Sequence, residues 1–432
     1  MRSRWSLLLL PFLALSVSAS DWPQWRGPNR DGVSLERGLL STWPEGGPKL
    51  LWNARDANKT DNGKNVGEGW SSLAIVGKRI YTMGDMRDEK AKKNATFLVC
   101  LDRDTGKVLW STKAGDTRGG NGPRSTPTVD GDRVYGVTNA GQLACLDAEK
   151  GTIVWSKDYV KDFAGRSMAS WHFCESPLID GEKLICTPGG LEAGLIALDK
   201  KTGEVLWKSP VEDKGGAGYA SIMPSDGGGV HQYVTFMSQD KGLVGVDAKT
   251  GKLLWNYRRV ANGTGNISTV IVKGDLIFAS TGYGTGSALL KLLPDGAGGV
   301  KIQEKYFLGG NKLQNHHGQL VRIGDYIYGG HGHGDGQPFC LHMESGKFAW
   351  GPERNHPGSG SAAVIAAGGD IYFRWEDNTM GLVEASPGGY VLKGEFRLPN
   401  LGTGWQHPVV AGGKMYIRGN NQVLCYDIHS GK

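Results

Sequence analysis

The chain has 432 residues, 49 Lys and Arg against 43 Asp and Glu, and a formal net charge of +6. The charges are scattered, and the one short basic run, Lys90–Lys93, is too small for a nucleic-acid-binding face. No apolar stretch approaches the roughly 20 residues that a membrane-spanning helix needs, so no transmembrane segment is expected.

Residues 1–19 read as an export leader. Arg2 and Arg4 give a positive start, Leu7–Leu15 an apolar stretch, and Val17-Ser18-Ala19 a small-residue cleavage site. No Cys stands at that point to carry a lipid, so the mature protein is expected to be periplasmic or secreted. Residues 20–47 read as a lead segment, and 48–432 as the folded body.

The body is built from copies of one phrase. Residues 98–110 read LVCLDRDTGKVLW, 143–155 LACLDAEKGTIVW, 195–207 LIALDKKTGEVLW and 243–255 LVGVDAKTGKLLW. Apolar and polar residues alternate on both sides of the Asp-x-x-Thr-Gly turn, which predicts two antiparallel strands, C and D. A second hinged pair, strands A and B, precedes each copy, as in Ser72–Met83, Thr126–Val137, Pro177–Thr187 and Pro408–Arg418. Four-stranded units repeating at roughly 45–50 residues are propeller blades.

Later copies are eroded. Residues 339–350 keep the Gly and Trp; 288–307 and 382–396 keep only the strand pattern. The last copy, 423–432, stops at its turn, and its missing strand stands near the front of the chain, where 47–52 read GPKLLW. The expected fold is therefore all-β: an eight-bladed β-propeller of four-stranded antiparallel blades, closed by an N-terminal strand at about 48–54. Four of the six cysteines, Cys100, Cys145, Cys340 and Cys425, share one slot on strand C that Ala197 or Gly245 fills elsewhere, so they read as small buried residues. Cys174 and Cys186 flank one A–B hairpin, and a disulfide between them is an open alternative.

In this topology the D–A and B–C loops share one face, and they carry the residues that differ between blades. Candidate ligand-binding residues there are Trp70, Arg124, His172, Tyr219, His316, His317, His331, His333, Trp405 and His407. Aromatic, imidazole and guanidinium groups converging at a channel mouth suit a planar or anionic small molecule. His331, His333 and Asp335 alternate with Gly; an extended loop would point all three the same way, as a divalent metal would require. No nucleophile elbow, metalloprotease helix or phosphate loop is present, so no catalytic residue is assigned.

The phrase Leu-Asp-x-x-Thr-Gly-x-x-x-Trp at 101–110, 198–207 and, with Val246, 246–255 resembles the pyrroloquinoline-quinone (PQQ) repeat, and Asp21–Gly32 is similar to exported bacterial members of that PQQ-like β-propeller family. The resemblance implies an eight-bladed ring over about 48–432. Its quinoprotein dehydrogenases carry adjacent cysteines over the quinone, and this chain has no Cys-Cys pair; its outer-membrane-assembly lipoproteins carry a lipidated Cys that is also missing. The expected function is a non-catalytic exported propeller that binds a protein, peptide or small ligand on the D–A/B–C face, acting as a monomer without cofactor. Two alternatives are a PQQ- and calcium-dependent oxidoreductase acting on alcohols or sugars, in which Arg124 or His172 contacts the quinone, and a metal-dependent hydrolase using His331 and His333.

Overall fold

The repeated turn closes on its own aspartate. Asp102 Oδ1 accepts the Thr105 N–H at 2.9 Å and hydroxyl at 2.7 Å, while Gly106 N–H donates to Asp102 O at 2.9 Å. Asp147, Asp199 and Asp247 bind the following N–H groups in the same way. Such local bonding fixes the hairpin wherever the phrase occurs. The turn Gly has a second duty. In Gly106, Gly151, Gly203 and Gly251 φ lies between +71° and +76°, and an added Cβ would stand 2.5–2.8 Å from the indole of Trp52, Trp110, Trp155 or Trp207. Each of these tryptophans lies within strand D of the preceding blade, so the phrase encodes both a hairpin and its dock on the next unit.

The result, a computed structural model describing residues 21–59, 65–120 and 122–431, is eight antiparallel four-stranded sheets. Blade 1 comprises Ala74–Val76, Arg79–Asp88, Lys93–Asp102 and Val108–Asp116; blade 2 Thr128–Asp130, Arg133–Val137, Gln142–Asp147 and Ile153–Asp158. Blade 3 comprises Leu178–Asp180, Lys183–Cys186, Leu195–Asp199 and Val205–Ser209; blade 4 Met223–Ser225, Gln232–Phe236, Leu243–Asp247 and Leu253–Tyr257. Blade 5 holds Ile271–Lys273, Leu276–Thr281, Gly286–Pro294 and Val300–Gly309; blade 6 Leu320–Ile323, Tyr326–His331, Gln337–His342 and Lys347–Trp350. Blade 7 holds Ala362–Ala367, Asp370–Trp375, Thr379–Glu384 and Leu392–Arg397. Blade 8 joins Val409–Ala411, Lys414–Arg418 and Val423–Asp427 to Lys49–Asn53, which pairs antiparallel with Val423–Asp427 and closes the ring as the sequence predicted. The leader read at 1–19 lies outside the described residues. Among the described residues no helix is long and apolar enough to cross a membrane.

The first part of the lead segment, read from sequence as preceding the ring, packs inside it. Trp22 bridges Ile75 in both directions at 2.7 Å, Pro23 O accepts Val129 N–H, and Val33–Ser34 adds a fifth, parallel strand to blade 7. Arg30 donates to the carbonyls of Ser176 and Pro177 at 2.9 and 3.0 Å, Arg26 to Leu320 O, and Ser34 to Val410 O. With the Trp25 indole N–H on Thr269 Oγ1 at 3.1 Å, residues 22–34 reach the inner strands, or the loops leading into them, of seven blades. They run along the ring axis.

The cysteines are all free. Cys100, Cys145, Cys340 and Cys425 are buried on strand C. A Cys174–Cys186 bond does not form. Cys186 sits among Tyr135, Tyr159 and Leu184 between blades, whereas Cys174 stands in the loop before strand A, donating toward the carbonyls of Trp171 and His172.

A candidate ligand site in an aromatic collar

The loops leading from strand D to strand A, together with two B–C loops, enclose a cavity of about 350 Å³ on one face of the ring. Four indoles (Trp25, Trp70, Trp171, Trp405), two phenols (Tyr219, Tyr283) and four imidazoles (His316, His317, His333, His407) line it. Trp25, from the axial lead segment, meets the edge of His407 at 4.9 Å between ring centres. Both rings line the cavity, so the lead segment contributes to its wall.

The rings touch in sequence. Trp70 lies 4.4 Å from Trp405, and Trp405 stacks on His317 at 4.3 Å with 17° between planes. His317 lies 3.6 Å from His316, His316 3.9 Å from His333, and His333 4.5 Å from Tyr283. Tyr283 and Tyr219 flank Trp171 at 6.4 and 5.8 Å. Arg124 completes the collar: its guanidinium lies 4.6 Å over the Trp70 ring and donates to Trp171 O at 3.2 Å.

Burial decides the charge state of the wall. Desolvation presses the His316 and His407 imidazoles down to about 3, with His333 adding to the effect at His316 and Arg26 at His407. His317 is held well below the usual histidine range by burial and by His316. These three rings are neutral at physiological pH and act as flat polar surfaces. Burial likewise raises the Cys174 thiol to about 11, so it is no thiolate nucleophile. Among the described residues, Arg124 is the only Arg, Lys, Asp or Glu side chain in the wall.

Tyr283 has a backbone φ of +57°, unusual for a bulky residue, between Gly282 and Gly284. Its hydroxyl meets His316 Nε2 at 3.2 Å, and His316 Nδ1 meets Ser361 Oγ at 2.9 Å. The collar hydroxyl is thus held from behind by a two-step hydrogen-bond chain.

Of the ten residues singled out from sequence, the fold brings eight together: Trp70, Arg124, Tyr219, His316, His317, His333, Trp405 and His407. His172 and His331 do not line the cavity. His172 adopts φ +62° and lies against Gly119, and the His331 Nδ1 accepts the Gln314 N–H at 3.3 Å. The His331–Asp335 loop is not extended, because Gly332 and Gly334 have φ of +104° and +92° and turn the chain. His331 and His333 therefore part company, and among the described residues no group of three or more His, Cys, Asp or Glu side chains is placed to hold a metal ion. Sequence reading missed Trp25, Cys174 and Gln319 as lining residues. Spacing offered no signal for Trp25, whose partner Thr269 is 244 residues away.

A family profile described as outer membrane protein assembly factor BamB matches residues 94–351. No curated protein matches the chain. Among solved structures, BamB from Moraxella catarrhalis superposes with a TM-score of 0.58 at 15% identity, covering 88% of this chain and 99% of that one. Quinohemoprotein alcohol dehydrogenase from Comamonas testosteroni superposes with a TM-score of 0.60 at 15% identity, covering 96% and 81%. The alcohol dehydrogenase ADHIIG of Pseudomonas putida HK5 gives a TM-score of 0.60 at 13% identity over the same shares. At these identities the structures share a fold with the chain and nothing finer.

Proposed function

The chain belongs to the family described as outer membrane protein assembly factor BamB, and from that premise we propose that it is a non-catalytic exported propeller that takes a small flat ligand into the collar. The carrying observation is the wall itself: ten aromatic or imidazole rings around about 350 Å³, within the usual range for small-molecule sites, with no ionised nucleophile or carboxylate base among them. The neutral imidazoles and the indoles provide faces, which favour a planar partner by dispersion and quadrupole contacts. Export rests on the leader read at 1–19.

The resemblance to quinoproteins implies PQQ with calcium, and the donor set does not suit that pair. Calcium takes six to eight oxygen ligands, carboxylates foremost; among the described residues the wall holds no Asp or Glu. PQQ carries three carboxylates, and the wall offers them one guanidinium. No redox step is therefore assigned to these residues.

Native mass spectrometry and absorption spectra of protein purified from its own host test the proposal. The expected result is a retained small aromatic compound that is lost in Trp405→Ala. Dye reduction with alcohols after loading with PQQ and calcium would overturn the non-catalytic reading.

A further inference from the structure

Resting on the collar as the binding site, we propose that its ligand is a flat aromatic monoanion, its negative group on Arg124 and a polar substituent at the far edge on Tyr283. Three observations on charge and placement lead there.

The first is charge. Arg124 makes no ion pair within 4 Å among the described residues, although its guanidinium faces the cavity and has five N–H donors; Asp85 lies near enough to feel its charge without touching it. One N–H is used on Trp171 O, another faces the Cys174 thiol, and Trp70 covers one face. What remains is a donor fork suited to a carboxylate or a comparable oxyanion. One negative charge balances it. A second would find no further guanidinium and no lysine among the described residues of the wall, and burial holds His316, His317 and His407 in the neutral form.

The second is shape. The unbroken run of rings from Trp70 through Trp405, His317, His316 and His333 to Tyr283, with neighbours 3.6–4.5 Å apart, forms one curved aromatic surface. Fused aromatic rings cover such a surface with little conformational entropy lost, whereas a flexible chain would have to be ordered.

The third is the opposite edge. Arg124 leads into blade 2 and Tyr283 follows strand B of blade 5, so blades 3 and 4 lie between them in the eight-bladed ring. The Tyr283 hydroxyl is fixed by His316, itself fixed by Ser361, and the left-handed backbone at Tyr283 is the strained geometry that ligand clamps retain. Neutral His316 has one N–H, and reversing the Ser361–His316–Tyr283 chain turns the phenol from acceptor to donor. The far edge therefore serves a hydroxyl or a carbonyl.

The test uses the purified chain and four naphthalene probes: 2-naphthoate, the uncharged 2-naphthamide, naphthalene-2,6-dicarboxylate and 6-hydroxy-2-naphthoate. Binding is read by quenching of tryptophan emission and by saturation-transfer NMR. The wild type should bind the acid at least tenfold more tightly than the amide, the scale of a charge-assisted hydrogen bond, and the dicarboxylate more weakly than the acid. Arg124→Gln should erase the acid–amide difference while leaving amide affinity within about twofold, and Arg124→Lys should keep part of it. Tyr283→Phe should weaken 6-hydroxy-2-naphthoate and leave 2-naphthoate unchanged. Trp405→Ala separates the two levels of inference. If it weakens acid and amide together while Arg124→Gln leaves their ratio intact, the collar stands and the monoanion fails. Binding unaffected by Trp405→Ala, or no binding of any probe to the wild type, overturns both.

Discussion

Blade 3 contains a matched pair of glycines that isolates the docking of one blade on the next. Gly181, in its A–B turn, has φ +58° and open space where a Cβ would go; Gly203, in its C–D turn, has φ +75° and Trp155 ring atoms 2.8 Å from that position. Replacing either with Ala forces an L-residue into the left-handed region, at about 1–2 kcal/mol. At Gly203 the methyl also displaces the indole, adding about 1–3 kcal/mol for overpacking. It disturbs the Trp155 indole N–H bond to Lys200 O at 3.2 Å as well, a further ~1 kcal/mol. Gly181→Ala should therefore cost about 1–2 kcal/mol and Gly203→Ala about 3–6 kcal/mol in equilibrium guanidinium unfolding. Combining Gly203→Ala with Trp155→Ala should return about 1–2 kcal/mol as coupling, since the methyl then meets a cavity. Equal losses at the two glycines, or no coupling in the Trp155→Ala background, would refute indole docking as the link between blades.

Other consequences concern buried and interblade groups. His231 is opposed by partial burial, but its bonds to Asp226 at 2.6 Å and Asp180 at 3.0 Å outweigh that and raise its pKa. Its stabilisation is full below the unfolded value of about 6.5 and fades as pH rises through the folded value. The deficit of His231→Gln in urea melts should thus be largest near pH 5.5, at or below about 1 kcal/mol for so exposed a group, and should vanish at alkaline pH. Arg418, fully buried, donates to the carbonyls of Val66, Gly67 and Met83 in blade 1 and the loop before it. Arg418→Met should cost about 2–4 kcal/mol by stranding these acceptors, and unchanged stability would show them bonded elsewhere. Six thiols should titrate in denaturant without reductant. In the native protein Cys174, at a pKa of about 11, should alkylate at pH 7.5 roughly 300-fold more slowly than an ordinary thiol, from its thiolate fraction.

The blades and their closure were legible because their information is local. An Asp that bonds the next few N–H groups, a Gly with positive φ and a two-residue alternation act within about a dozen residues, and repetition marks them even where, as around Asp295, the turn has grown. The Trp that ends each phrase was legible as a packing residue for the same reason. The ring's seam could be read because Lys49–Asn53 copies a phrase whose other half stands at 423–427.

The collar was legible only in part. The loops before strand A announced themselves as the places where Trp70, Arg124, His316, His317, Trp405 and His407 break the repeat. Their side-chain directions did not: Gly332 turned His331 away from His333, and a left-handed backbone left His172 on the rim. Sequence alone determined the architecture, because each blade is specified by contacts between near neighbours in the chain. Tertiary structure alone decided the contents of the axis. Trp25 meets Thr269 and Arg26 meets Leu320 across 244 and 294 residues. Whether an imidazole is neutral or a guanidinium unpaired depends on the dielectric and the neighbours that only the closed ring supplies.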